Sequence, residues 1–209
     1  MPASLLITTL STFARCLKDA RDLANDANAW SIPGAAHQIT PQRRDVLTET
    51  AFLRAFTGWE SFLEESFYLY MLGYKIPKRR PHRYAFPPDR SAATEWCAEG
   101  HRYAKWDLEN VRKRAGRWFK DGKPFAPALQ AQQARLTQLA TIRNAIAHQS
   151  TSARGKFEAL VRNELGALPP NTTVGSFLLT TVPTSNPPTS YMEFYLEEID
   201  TAARNIVAK

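Results

Sequence analysis

Four histidines are present, and one of them, His148, stands in a setting that suggests chemistry. It closes the run Ile142-Arg143-Asn144-Ala145-Ile146-Ala147-His148, inside a stretch without Gly or Pro that reads as helix. Histidine is the side chain whose ordinary titration lies near neutrality, so it can carry a proton. Arginine is a permanent cation with a planar fork of donors. On a helical wheel with Leu136 at the origin, Arg143 falls at about 340°, within the arc of Leu139, Ala140, Ile142, Ile146 and Ala147. His148 falls at about 120°, on the flank of that arc. A cation on the apolar face needs a carboxylate, a phosphate or a water-filled cleft, because burying it unpaired is strongly unfavourable. The two side chains do not share one stripe. They are placed to flank a groove formed with another helix or another chain.

The counterpart to Arg143 is sought on the strongest apolar helix. With Phe52 as origin, Phe56, Trp59, Phe62, Leu63, Phe67, Tyr70 and Met71 fill an arc from about 280° to about 100°, and Glu60 falls inside it at about 80°. Two helices that each place one ionisable group on the core face can satisfy each other, so a Glu60–Arg143 pair is expected. A purely structural ion pair is the other reading of the same two residues. The chain has no Gly-rich phosphate loop, no Gly-x-Ser-x-Gly and no paired Cys or His at metal-binding spacing. No metal and no cofactor are therefore expected. Cys16 and Cys97 lie far apart and read as two reduced thiols.

The elements that must hold these residues are helical. A first helix is predicted over about 3–30 and ends at Ser31-Ile32-Pro33-Gly34. Thr40-Pro41 reads as an N-cap followed by proline at the first helical position, opening a helix over about 41–72 with Gly73 behind it. Residues 75–90 carry four prolines and read as a surface excursion. Further helices are expected over about 91–122 in one or two pieces, 126–149, 154–165 and 191–208. Residues 173–182, TVGSFLLTTV, look extended because they are rich in β-branched and aromatic side chains. The expected fold is mainly all-α, a single domain over 1–209 with a basic helical insertion at about 75–123 and a short extended segment near 173–182.

Charge is uneven along the 209 residues. The net charge is +7, yet residues 75–123 hold 14 Lys+Arg against 6 Asp+Glu, and the rest of the chain is close to neutral. That window also carries Trp96, Trp106 and Trp118, a pattern that fits either a nucleic-acid contact or a solvated helical surface. With 44% hydrophobic and 22% charged residues the chain has material for a core and is not of disordered composition. No stretch approaches the roughly 20 apolar residues of a membrane span, so no membrane partner is expected. The opening residues lack a basic n-region, so no secretory signal is expected and the cytoplasm is the expected compartment.

The run Arg143 to His148 resembles the Arg, four to six residues, His signature of the HEPN superfamily, including its frequent Asn directly after the Arg. The segment 54–64, RAFTGWESFLE, resembles the aromatic-Glu helix of the HEPN branch found in bacterial defence and RNA-cleaving toxin loci, and 155–179 has the look of that branch. The resemblance spans about 42–72 and 127–200 and leaves 75–123 unaccounted for. It implies an up-and-down bundle of four to five helices that forms a homodimer, with two copies of the motif meeting in one metal-independent endoribonuclease site. His148 would move the proton, Arg143 hold the scissile phosphate, Asn144 position His148 or the phosphate, and Glu60 orient Arg143. The products would be a 2′,3′-cyclic phosphate and a 5′-hydroxyl. The partners implied are RNA and an antitoxin or other defence-system protein. Phosphate contacts would come from Lys78, Arg79, Arg80, Arg83, Arg112, Lys113, Arg114 and Arg117, with Trp96, Trp106, Trp118, Tyr84 and Tyr103 available to stack on bases. The alternative is a catalytically inactive HEPN-like module that dimerises or binds nucleic acid.

Overall fold

The computed structural model describes residues 3–34, 38–76, 81–148 and 150–207. Among the described residues there are nine α-helices and no β-strand. They are α1 (Ala3–Trp30), α2 (Pro41–Met71), α3 (Arg90–Ala98), α4 (Leu108–Trp118), α5 (Phe125–Ala131), α6 (Gln133–Ala147), α7 (Thr151–Leu165), α8 (Val174–Leu179) and α9 (Tyr191–Val207). The all-α class read from the sequence holds. No helix among the described residues is long and apolar enough to cross a membrane.

Local chemistry sets most of the boundaries. The Thr40 hydroxyl accepts from the Arg43 N–H at 3.3 Å and starts α2. Gly73 ends it with φ +93°, and the Arg83 guanidinium occupies the space where a Cβ would stand, about 3 Å from its ideal position. Asp89, Asp107 and Ser150 cap α3, α4 and α7 through side-chain oxygens. The single helix expected over 126–149 is two, α5 and α6, separated at Gln132, whose backbone (φ −111°, ψ 14°) leaves the helical region.

The segment expected to be extended is helical instead. Thr173 and Ser176 form a reciprocal capping box, and Val174–Leu179 follows as α8. Capping chemistry therefore overrides the β-branched composition. Only the residues after it are extended, where Thr181 bridges Ser190.

The chain divides into two compact units. The first comprises Met1–Arg15, Gly58–Leu136 and Ile199–Lys209. Its core is aromatic: Phe67 packs against Trp106, Phe119 and Phe125 with ring centres 5.6, 5.2 and 4.8 Å away. Phe13 stacks on Phe62 at 5.2 Å, and the Tyr70 hydroxyl donates to the Ile206 carbonyl at 2.9 Å. The basic window lies wholly within this unit and supplies part of its core, which the prolines and charges concealed. Ile76, Ala85, Ala93, Cys97, Trp106, Val111, Ala115 and Phe119 are all buried. Burial pushes the Cys97 thiol up to about 12.

The second unit comprises Cys16–Thr57 and Thr137–Glu198. Phe177 of α8 stacks on Tyr191 at 4.5 Å and meets Phe157 edge-on at 5.7 Å. A polar chain runs through the same packing: the Tyr195 hydroxyl donates to Gln138 Oε1 at 3.1 Å, and Gln138 Nε2 donates to Glu164 Oε1 at 2.6 Å. The N-terminal end of α8 is held on α2. The Thr173 hydroxyl donates to Asp45 Oδ2 at 2.6 Å, and the Gly175 N–H donates to Glu49 Oε1 at 2.9 Å. A Cβ on Gly175 would stand 2.4 to 2.7 Å from the Asp45 backbone. A glycine inside a helix ordinarily costs about 1 kcal/mol relative to alanine. Here the clash is with main chain and cannot relax by a rotamer change, so Gly175→Ala is expected to destabilise by about 1–3 kcal/mol. A lowered midpoint in chemical denaturation checks this; a raised midpoint would contradict the close helix–helix contact.

Candidate functional site

His148 stands just past the end of α6, its N–H still bonded to the Asn144 carbonyl at 2.9 Å. Its exposed side chain lines a cleft of about 690 Å³ within the second unit. Four elements build the walls: α2 contributes Glu49, α6 Ala145, α7 Arg154 and Glu158, and the loop before α8 Asn171 to Thr173. The capping box and the contacts of Gly175 and Thr173 with α2 fix that last wall. Asn171 adopts a left-handed conformation with φ +59° to turn the loop.

The polar groups differ in kind. Glu49 is half-buried beside the anionic Asp45, and its carboxyl titrates above the usual range. Burial is the largest cause; the Gly175 N–H opposes it and the Asp45 charge adds to it. Asp45 itself accepts from Arg44 Nε and Nη2 at 3.0 and 2.7 Å. On the opposite wall Arg154 Nε donates to Glu158 Oε1 at 2.9 Å, with its side chain 79% exposed, so its remaining donors are open to a ligand. The cleft thus combines an imidazole, a carboxyl held toward its neutral form and an exposed guanidinium. That set can exchange protons and receive an anion.

The other residues singled out by sequence are placed as follows. Arg143 is half-buried, as its position on the wheel requires, but its described partners are not a carboxylate. Nη1 donates to Asn144 Oδ1 at 3.0 Å, and the guanidinium lies 5.8 Å from the Phe56 ring centre. The Asn144 side chain is therefore engaged with Arg143, while its main-chain carbonyl accepts from His148. Glu60 is half-buried on α2 and belongs to the first unit, whereas Arg143, Asn144 and His148 belong to the second. Glu49, Arg154 and Glu158 were missed by the sequence reading. The capping pattern Ser150-x-x-Ala153, which starts α7 just after His148, was the one available signal that Arg154 lies close by.

Of the basic residues expected to touch RNA, Lys78, Arg79 and Arg80 lie outside the described residues. Two are corrected to structural roles. Arg114 is 4% exposed, donates to the Lys105 carbonyl and stacks over Trp106 at 4.8 Å. Arg83 donates to the Met71 carbonyl at the C-terminal end of α2, where a cation complements the helix dipole. Trp106 is likewise core rather than a stacking platform. Arg112 bridges to Gln133 and Gln130, and Arg117 pairs with Glu99 at 2.6 Å. Lys113 is exposed, as are Tyr84, Trp96 and Tyr103. Trp96 and Trp118 stack on each other at 6.0 Å.

Compared with known proteins, the chain matches no family model, no curated protein and no solved structure.

The raised titration of Glu49 gives a signed prediction. A carboxyl whose folded pKa lies above its unfolded value adds stability below the unfolded value and loses it as pH rises through the folded one. Glu49→Gln keeps the oxygen that accepts from Gly175 and removes the titration. The midpoint of the variant relative to wild type should therefore rise as the pH climbs upward from the ordinary carboxyl value, in denaturation curves. A difference that stays constant with pH would contradict the half-buried carboxyl.

Proposed function

We propose that this chain is a homodimeric endoribonuclease of the HEPN kind that cleaves RNA through its own 2′-hydroxyl, acting as a toxin or anti-phage effector. The observation that carries the reading is the cleft that sets His148 opposite an exposed cation and a carboxyl held toward neutrality. RNA brings its nucleophile with it, so the protein needs a proton acceptor, a proton donor and a charge clamp. His148 takes the proton from the 2′-hydroxyl as the 2′-O–P bond forms. Arg154 faces the phosphate charge as it builds. The P–O5′ bond breaks and Glu49 returns a proton to the leaving oxygen, giving a 2′,3′-cyclic phosphate and a 5′-hydroxyl.

Arg143 is five residues from His148 and so about 140° around α6 from it. One chain does not turn both side chains to the same phosphate, whereas two copies that meet along α6 bring the Arg143 of one to the His148 of the other. Asn144 holds that guanidinium in place. Nucleic-acid binding without cleavage is the second reading, favoured by the exposed Lys113 and by Tyr84, Trp96 and Tyr103 in the basic window.

Expression of wild type, Arg143→Ala and His148→Ala in bacteria separates the readings. Cleavage predicts growth arrest and RNA breakdown with wild type only, and a loss of at least about 10²-fold in the purified His148→Ala protein. Co-expressing the two variants should restore cleavage, since a mixed dimer carries one complete site. Identical growth and RNA integrity for all three proteins would rule out the nuclease.

A further inference from the structure

The first unit carries a second concave site, in a part of the chain that the His148 chemistry does not use. A cleft of about 550 Å³ opens among Pro81, His82, Lys120, Lys123, Pro127 and Ala128. That volume lies in the range of pockets that enclose a small organic ligand, roughly 300–1,000 Å³. One wall is pinned by main chain: the Lys120 N–H donates to the His82 carbonyl and the Tyr84 N–H to the Trp118 carbonyl, both at 2.9 Å, with Arg83 and Phe119 bridged between them. Proline and alanine side chains supply its apolar lining. Around it stand three groups able to meet an anion, His82, Lys120 and Lys123, all exposed. Asp121 pairs with Lys123 at only 3.4 Å, with both side chains well exposed, so this contact is weak and replaceable. Tyr84 is 57% exposed and meets the lining residue His82 edge-on, with ring centres 5.6 Å apart.

We propose that this cleft binds a nucleotide unit. The base lies on the proline and alanine lining beside Tyr84, the phosphate sits among His82, Lys120 and Lys123, and Asp121 accepts from the ribose hydroxyls. The ligand is either one nucleotide of a single strand or a free nucleoside monophosphate; the recognition chemistry is the same. The choice of a nucleotide over other small anions rests on the reading that the chain handles RNA. Within the basic window the cations that line this cleft are Lys120 and Lys123, while Arg83 and Arg114 bond main-chain carbonyls of the fold.

The test uses the full chain carrying His148→Ala, so that any cleavage does not confuse binding. A fluorescent single-stranded RNA decamer is titrated by anisotropy over a range of salt, and adenosine 5′-monophosphate by ligand-detected NMR. Lys120→Glu with Lys123→Glu should weaken decamer binding at least about tenfold and lower the salt slope by about 1, for the one phosphate the site holds. Ala131→Trp, at an exposed position on the cleft lining, should remove the nucleotide signal while the far-UV spectrum stays unchanged. A decamer effect with no monophosphate signal assigns the site to a strand; competition between the two assigns it to both. Unchanged binding of both ligands in both variants overturns the proposal, as does inorganic phosphate binding as well as the monophosphate. Failure of the nuclease reading shows up separately, as wild-type protein that leaves the decamer intact while these binding effects persist.

Discussion

The second unit depends on one close approach, that of the α8 main chain to the α2 main chain at Asp45. Helices pack at this range only where a side chain is missing, and Gly175 supplies that gap. Once the backbones are in contact, two hydrogen bonds become available that a longer separation would forbid, Thr173 to Asp45 and Gly175 to Glu49. These draw Asp45 and Glu49 out of water and place the 171–173 loop over them. The loop then forms the wall opposite α7, and the space left between is the cleft that His148 faces. Packing, electrostatics and candidate chemistry in this unit thus share a single steric origin.

Cations are used in two ways in this molecule. Arg114 and Arg83 serve the interior of the first unit, where an aromatic face and a helix C-terminus offset their charge. Arg143 in the second unit is intermediate, half-buried with its guanidinium 5.8 Å from the Phe56 ring centre. Lys113, Lys120 and Lys123 remain exposed to solvent. A net charge concentrated in one window is therefore not one surface. Part of it cements an aromatic core and part stays at the solvent surface.

The broad helical layout could be read from the chain. The spans of α1, α2 and α9 follow from apolar periodicity, and the ends of α2 from Thr40 and Gly73, because caps and left-handed glycines act within a few residues. Three readings did not carry over. The extended segment at 173–182 became α8 through its capping box, the helix over 126–149 broke at Gln132, and the proline-rich 75–90 stretch turned out to supply core residues such as Ile76 and Ala85. The break at Gln132 and the burial within 75–90 depend on packing that local composition does not encode, whereas the capping box of α8 is local and outweighs the β-branched composition around it.

For the candidate site, the sequence by itself determined the helical phase of Arg143 and Asn144 and the place of His148 at the helix end. It placed a cation on the half-buried face of α6 and an imidazole at its end, because a helix of known pitch leaves no freedom in that relation. What faces His148 was decided only by the tertiary structure. Glu49 precedes it by 99 residues, and no periodicity relates α2 to the end of α6. The shift in Glu49 likewise exists only in the folded chain, since desolvation is a property of the assembled environment and not of the residue.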